Sequence, residues 1–206
     1  MNRALVAAVV VAGVLAGIGA ARHFARPGER PPALEHATAL AEPRPLPAFE
    51  LVDERGAPFD RERLRGRWTF LFFGFVNCPD ICPTTLATLA DARESLADLP
   101  ADERPDVALV SVDPRRDTPE VLRKYVAHFD PDFTGVTGRT EAIEALTRSL
   151  GVAVFVGPAD ADGNYSVDHS AAAFLVDPEA RVAALFNTPH EAATIARDYR
   201  RIVEGG

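Results

Sequence analysis

The chain opens with an unbroken stretch of apolar and glycine positions, Ala4 to Ala21 (ALVAAVVVAGVLAGIGAA), bounded by Arg3 on one side and Arg22 and Arg26 on the other. As a helix this stretch rises roughly 27 Å, close to a hydrocarbon core about 30 Å thick. Residues 1–26 are therefore predicted to form a transmembrane anchor. The stretch exceeds the apolar centre of an ordinary leader, although Gly19-x-Ala21 also offers a small-x-small cleavage site. A lone span at the N-terminus most simply leaves the remainder of the chain outside the cytoplasm, tethered to a bacterial-type cell membrane. Residues 27–46 are Pro-rich and show little apolar periodicity, which predicts a semi-extended linker.

From Pro47 the pattern changes to that of a folded domain, expected over residues 47–206. Phe49 to Val52, with a turn at Glu54-Arg55-Gly56, predicts a short hairpin ending near Phe59. Trp68 to Val76 (WTFLFFGFV) is continuously apolar and aromatic, as in a central strand covered on both faces. Leu86, Leu89, Ala90, Leu96 and Leu99 mark the apolar face of a helix from Pro83 to Leu99. Val107 to Val112 predicts a second buried strand. Thr118-Pro119-Glu120 supplies an N-cap, a first-turn proline and a first-turn acid, opening a helix to about Phe129. A third helix runs from Thr140 to Leu150 and is closed by Gly151. Strands follow at Val152–Val156, Ala171–Val176 and Val182–Phe186, the last two forming a hairpin around Asp177 to Ala180. A final helix starts at Thr188-Pro189 and reaches about Val203. A parallel crossover followed by an antiparallel hairpin is the order of a thioredoxin-like α/β fold.

Composition sharpens this picture at two points. The formal net charge is -8 and no basic stripe occurs, so nucleic acid is not the expected partner. Cysteine occurs twice, at Cys78 and Cys82, and the single Met is Met1. Copper carriers that rely on several thioethers are thereby excluded, and any soft-metal chemistry must use the two sulfurs plus nitrogen donors.

Four residues apart at the start of a helix, the two sulfurs come within reach of one disulfide or one metal ion. The unpaired N–H groups of a helix N-terminus would favour the thiolate of Cys82. A structural disulfide closing so short a loop would contribute only about 2 kcal/mol, which a domain with its own core does not require. The C-x-x-x-C spacing is not the C-x-x-C of thioredoxins, and no His follows to attach a haem. Phe75 and Pro79 stand where a peroxiredoxin carries its Thr or Ser, three residues before the reactive Cys. Among five histidines, His169 lies just before a strand, at the edge that faces the active-site loop in thioredoxin-like folds. His23 and His36 fall in the anchor and linker, while His128 and His190 sit at helix ends. Asp168 is a candidate to orient the His169 ring. Asp113 to Asp117 has the character of a capped βα turn rich in solvated charge, with a partner surface beside the site as the alternative. No Pro occurs between Pro158 and Pro178, where a dithiol oxidoreductase would align its peptide substrate.

Gly74 to Pro83 (GFVNCPDICP) resembles the signature around the copper-binding cysteines of the Sco/SenC family. Val112 to Pro119 (VDPRRDTP), Tyr125 to Gly138 and Tyr165 to Ser170 (YSVDHS) are similar to further stretches of that family. One departure is Val76, where the family usually has Thr. The resemblance implies that Cys78, Cys82 and His169 bind one copper ion per chain, as Cu(I) or Cu(II). Two thiolates and an imidazole form a soft, three-coordinate set suited to Cu(I), although Zn2+ would accept the same donors with an added water. It further implies a metallochaperone that delivers copper to the CuA centre of cytochrome c oxidase subunit II. The alternative is a thiol-disulfide reductase in which Cys78 and Cys82 act as the redox pair that keeps the cysteines of that centre reduced.

Overall fold

A computed structural model describes residues 34–160 and 165–205. The anchor expected over residues 1–26 lies outside them. Among the described residues, no helix is long and apolar enough to cross a membrane.

Among the described residues there are ten strands and four helices. The strands are β1 (Ala37–Pro45), β2 (Leu51–Asp53), β3 (Pro58–Phe59), β4 (Thr69–Gly74), β5 (Asp106–Ser111), β6 (Thr134–Thr137), β7 (Val154–Val156), β8 (Val167–His169), β9 (Ala173–Val176) and β10 (Arg181–Phe186). The helices are α1 (Ile81–Glu94), α2 (Pro119–Val126), α3 (Thr140–Leu150) and α4 (Ala192–Glu204), and a single 3-10 turn covers Glu62–Leu64. Eight strands form one sheet in the order β1-β10-β9-β4-β5-β6-β2-β3, while β7 and β8 make a separate ribbon. Strands β4, β5 and β6 are parallel; β9 runs antiparallel to β4, and β10 to β9. The expected mixed α/β, thioredoxin-like arrangement is present.

The apolar pattern explains most of these elements. Every residue of β4 (TFLFFG) is buried, as an uninterrupted apolar strand at the middle of a sheet must be. The helix predicted at Thr118 is capped as expected, its hydroxyl accepting from Val121 N at 3.3 Å. Gly151 ends α3 in the left-handed conformation, φ 72°, which glycine adopts without penalty. Asp53 organises the β2–β3 turn by accepting from the backbone of Arg55 and Ala57.

Several elements depart from the sequence reading, among them α1, which spans Ile81–Glu94 rather than Pro83 to Leu99. Residues 27–46 were expected to form a linker, but Ala37–Pro45 is an edge strand paired antiparallel with β10. The folded unit therefore begins before residue 47. Prolines are tolerated on an edge strand, where a missing N–H faces away from the ladder, and a register shift between Ala39 and Arg44 removes the simple alternation. Val152–Val156 was expected as a strand of the fold; Val154–Val156 instead pairs with β8 outside the main sheet. The final helix starts at Ala192 rather than at Thr188. In addition, β6 (TGVT) carries a glycine that weakens its strand signal. That glycine is needed: a Cβ at Gly135 would stand 2.7 Å from Leu122 Cβ of α2.

The sheet register places the site. Gly74 ends β4, and the chain turns through Cys78 into α1. Ala173, at the start of β9, pairs with Phe72 near that same end of β4. The segment entering β9, which carries His169, is thus brought beside the cysteine loop.

Candidate metal centre

Cys78 lies in the turn after β4, its N–H donating to Phe75 O at 3.3 Å. Cys82 is the second residue of α1, not the residue before it, since the helix begins at Ile81. The N–H of Cys82 points at Cys78 Sγ, 3.4 Å away. Both thiols are free; Cys82 is buried and Cys78 half-buried. Gly74 makes room for the deeper sulfur, because a Cβ there would meet Cys82 Sγ at 3.0 Å.

His169 completes the group from the end of β8. Its Nε2 is 3.3 Å from Cys82 Sγ. The sulfurs of Cys78 and Cys82 and a ring nitrogen of His169 all lie within 4.8 Å of one another. The ring is fixed on several sides. Phe72 and Phe75 meet it edge to face, with centroids at 6.1 and 5.8 Å. Its Nδ1 is 3.0 Å from Ser170 O, so Nδ1 carries the proton and donates, leaving the Nε2 lone pair directed at the sulfurs. Ser170 is itself anchored to Ala153 by two bonds, at 3.0 and 3.1 Å. The orienting role expected of Asp168 therefore belongs to the Ser170 carbonyl; Asp168 is exposed on the far face of the ribbon.

Electrostatics suit neutral donors awaiting a cation. Burial holds the His169 ring below the ordinary imidazole value, outweighing the opposing effects of Ser170 O and Asp168, so it stays neutral near pH 7. Burial likewise pushes the Cys82 thiol far up, assisted by the neighbouring Cys78. The helix N-terminus was expected to favour thiolate at Cys82; complete burial overrides it. A cation held by Cys78, Cys82 and His169 would supply the compensating charge and favour the thiolate.

A second layer holds these parts together. Asp117 accepts from Ser111 Oγ at 2.6 Å and from Val76 N at 3.1 Å, tying the cysteine loop to the end of β5. Asp113 accepts from Tyr165 OH at 2.6 Å and pairs with Arg116, whose guanidinium lies 3.8 Å from the Tyr165 ring centre. This clasp secures the start of β8. Asp113 and Asp117 are 3 % and 1 % exposed, so the two acids of this turn sit in a buried polar network, and the solvated charge expected of the turn is carried by the exposed Arg115. Tyr165 lay within a recognised stretch but carried no signal of this role. Of the remaining histidines, His36 meets Asn187 O, His190 meets Ala171 O and His128 packs on Phe129. His23 lies outside the described residues.

The SCO1/SenC family model matches residues 38–204. A candidate copper-binding protein of Stutzerimonas stutzeri is 41 % identical over 160 residues, covering 76 % of each chain. The mitochondrial SCO2 homologue of Bos taurus is 37 % identical over 74 % of this chain, and the match spans 58 % of its own length. Among solved structures, copper-bound ScoI of Arabidopsis thaliana superposes with a TM-score of 0.73 at 31 % identity, covering 78 % of this chain and 98 % of that one.

Proposed function

Because the chain belongs to the SCO1/SenC family, we propose that it is a copper carrier that holds one copper ion between Cys78, Cys82 and His169. The ion is cargo, destined for the binuclear CuA centre of cytochrome c oxidase subunit II. The observation that carries this reading is the convergence of two sulfurs and a pre-oriented imidazole nitrogen within 4.8 Å. Such a set fits copper: two thiolates and one neutral imidazole satisfy Cu(I) as a three-coordinate site and leave a place for a further donor. The half-buried Cys78 gives an incoming ligand access. Residues 1–26 would tether the domain to the membrane on its extracytoplasmic side, where such a recipient is found.

Transfer by this chain requires ligand exchange, with recipient thiolates displacing Cys78 and Cys82 in turn. The reductase alternative needs the same sulfurs but has no use for His169. The facing of Cys82 Sγ and His169 Nε2 therefore favours the carrier.

The test is copper stoichiometry and complementation. Purified reduced protein is expected to bind one copper per chain. Cys78→Ala and Cys82→Ala should abolish binding, and His169→Ala should weaken it. Unchanged stoichiometry in Cys78→Ala refutes the carrier. Full oxidase assembly with His169→Ala in place of the native chain would make the reductase the correct reading.

A further inference from the structure

Ribbon β7–β8 has one edge that no strand covers among the described residues. Its register pairs Val154 with His169, Phe155 with Asp168 and Val156 with Val167. Gly157 N donates to Ser166 O and Ser170 N to Ala153 O, so Ala153, Phe155 and Gly157 turn their backbone groups toward β8. The N–H and C=O groups of Val154 and Val156 therefore point the other way, into open space. An open strand edge invites pairing, and folded proteins blunt it with a charge, a proline or a bulge. Strand β7 has none of these: Val154, Phe155 and Val156 are all apolar and 36 %, 65 % and 41 % exposed.

The edge borders a groove of about 450 Å3 between β7, α3 and the turn after β5. Val112, Ile143, Val154 and Val156 give it an apolar lining, and Arg115 and Arg148 stand at its rim. Arg148 is paired with Glu144. Arg115 is exposed, 4.8 Å from the Tyr165 ring centre, and has no carboxylate partner among the described residues. An open backbone edge, an apolar groove and an unmatched cation together describe an extended segment of another chain. Such a segment would complete the ladder with its backbone, fill the groove with an apolar side chain and set a carboxylate against Arg115. The register says which chain. Val154 stands directly opposite His169, so a segment added to β7 lies only two strand spacings, roughly 10 Å, from the strand that carries this ligand. A chain seated there has its neighbouring residues within reach of the metal centre, as a copper recipient requires.

We propose that the copper recipient docks at this edge, adding an extended segment to β7 as a third strand of the ribbon. The inference rests on the carrier reading and deepens it, by naming how the recipient is held. A contact of one short strand is small, which suits a partner that must leave once the ion has crossed.

The test uses the copper-loaded full chain, with the soluble, metal-free domain of cytochrome c oxidase subunit II as probe. Amide exchange followed by NMR should show the Val154 and Val156 N–H groups open in the loaded chain alone and protected once the probe is added. Val156→Pro removes an outward N–H without touching a bond to β8. It should bind one copper as wild type does and dock about ten-fold more weakly. Val156→Ala keeps that N–H and should dock more tightly than the proline variant. Copper transfer with both amides still open, or equal docking by Val156→Pro and wild type, would overturn the inference and leave the carrier intact. Protection already present without the probe, with sedimentation at twice the chain mass, would also overturn it by giving the edge to a second copy. Should the proline variant lose its copper, the ribbon itself has been disrupted and the wild-type amides decide. A wild type that binds copper but passes none to the probe would remove both readings.

Discussion

At the scale of single residues, the site is decided by what surrounds the sulfurs rather than by the sulfurs alone. Gly74 stands 3.0 Å, as a virtual Cβ, from both Cys82 Sγ and Leu109 Cδ1, so any side chain there must displace one of them. Gly74→Ala is expected to lower stability by about 1–3 kcal/mol through overpacking. It should also weaken copper binding by shifting Cys82 Sγ, to be checked by urea denaturation and copper titration of the same preparation. Preserved affinity would show that the loop absorbs the methyl group elsewhere. That Cys78, Cys82 and His169 come together was legible in the sequence because the chain has only two cysteines and the stretches carrying all three residues resemble a family pattern. The partner of His169 Nδ1 was not: Asp168 is the polar neighbour in sequence, but strand alternation turns it away and gives the role to the Ser170 carbonyl. A backbone acceptor has no sequence signature. For the same reason the Asp113–Arg116–Tyr165 clasp was hidden, since nothing in the chain announces that a residue 52 positions away supplies the hydroxyl.

At the scale of elements, long apolar runs and capped helices were read directly, and short or edge elements were not. Strand β4 was announced by its aromatic run and α2 by its cap, whereas β6 has only four residues, one of them Gly135. That glycine allows α2 to lie on the sheet, with Leu122 Cβ at 2.7 Å from the place of a Cβ. Gly135→Ala should therefore cost about 1–3 kcal/mol by forcing α2 away from β6. The expected signature is a lower urea midpoint with copper stoichiometry still at one, because β6 carries no ligand. Loss of copper with unchanged stability would contradict this division of roles. Edge strand β1 was hidden by Pro43 and Pro45, which read as linker composition until the pairing with β10 is known.

At the scale of the whole molecule, the N-terminal edge of the sheet is fastened by one carboxylate. Asp198 of α4, fully buried, accepts from the backbone N–H groups of Glu35, His36 and Ala37, each at 2.8 Å. Burial raises its proton affinity, but these three donors and the Arg201 guanidinium outweigh it, holding the carboxyl below the ordinary range. Nearby, Glu35 pairs with Arg197 and Arg201, so the surroundings of Asp198 are close to balanced in charge. A lowered folded-state value means that the stabilisation is complete above the unfolded carboxylate value of about 4 and is lost as the pH falls through the lower one. Asp198→Asn should cost about 2 kcal/mol near neutral pH, and its deficit against wild type should shrink below about pH 4. Urea midpoints measured across that interval would reveal a constant deficit if the charge were irrelevant. Burial grades the three side chains of the site: Cys82 is sealed inside, whereas Cys78 and His169 are each half-buried. Under the proposed carrier reading, an exchanging thiolate would approach on the side of those two, and the sealed sulfur would be the last to let go.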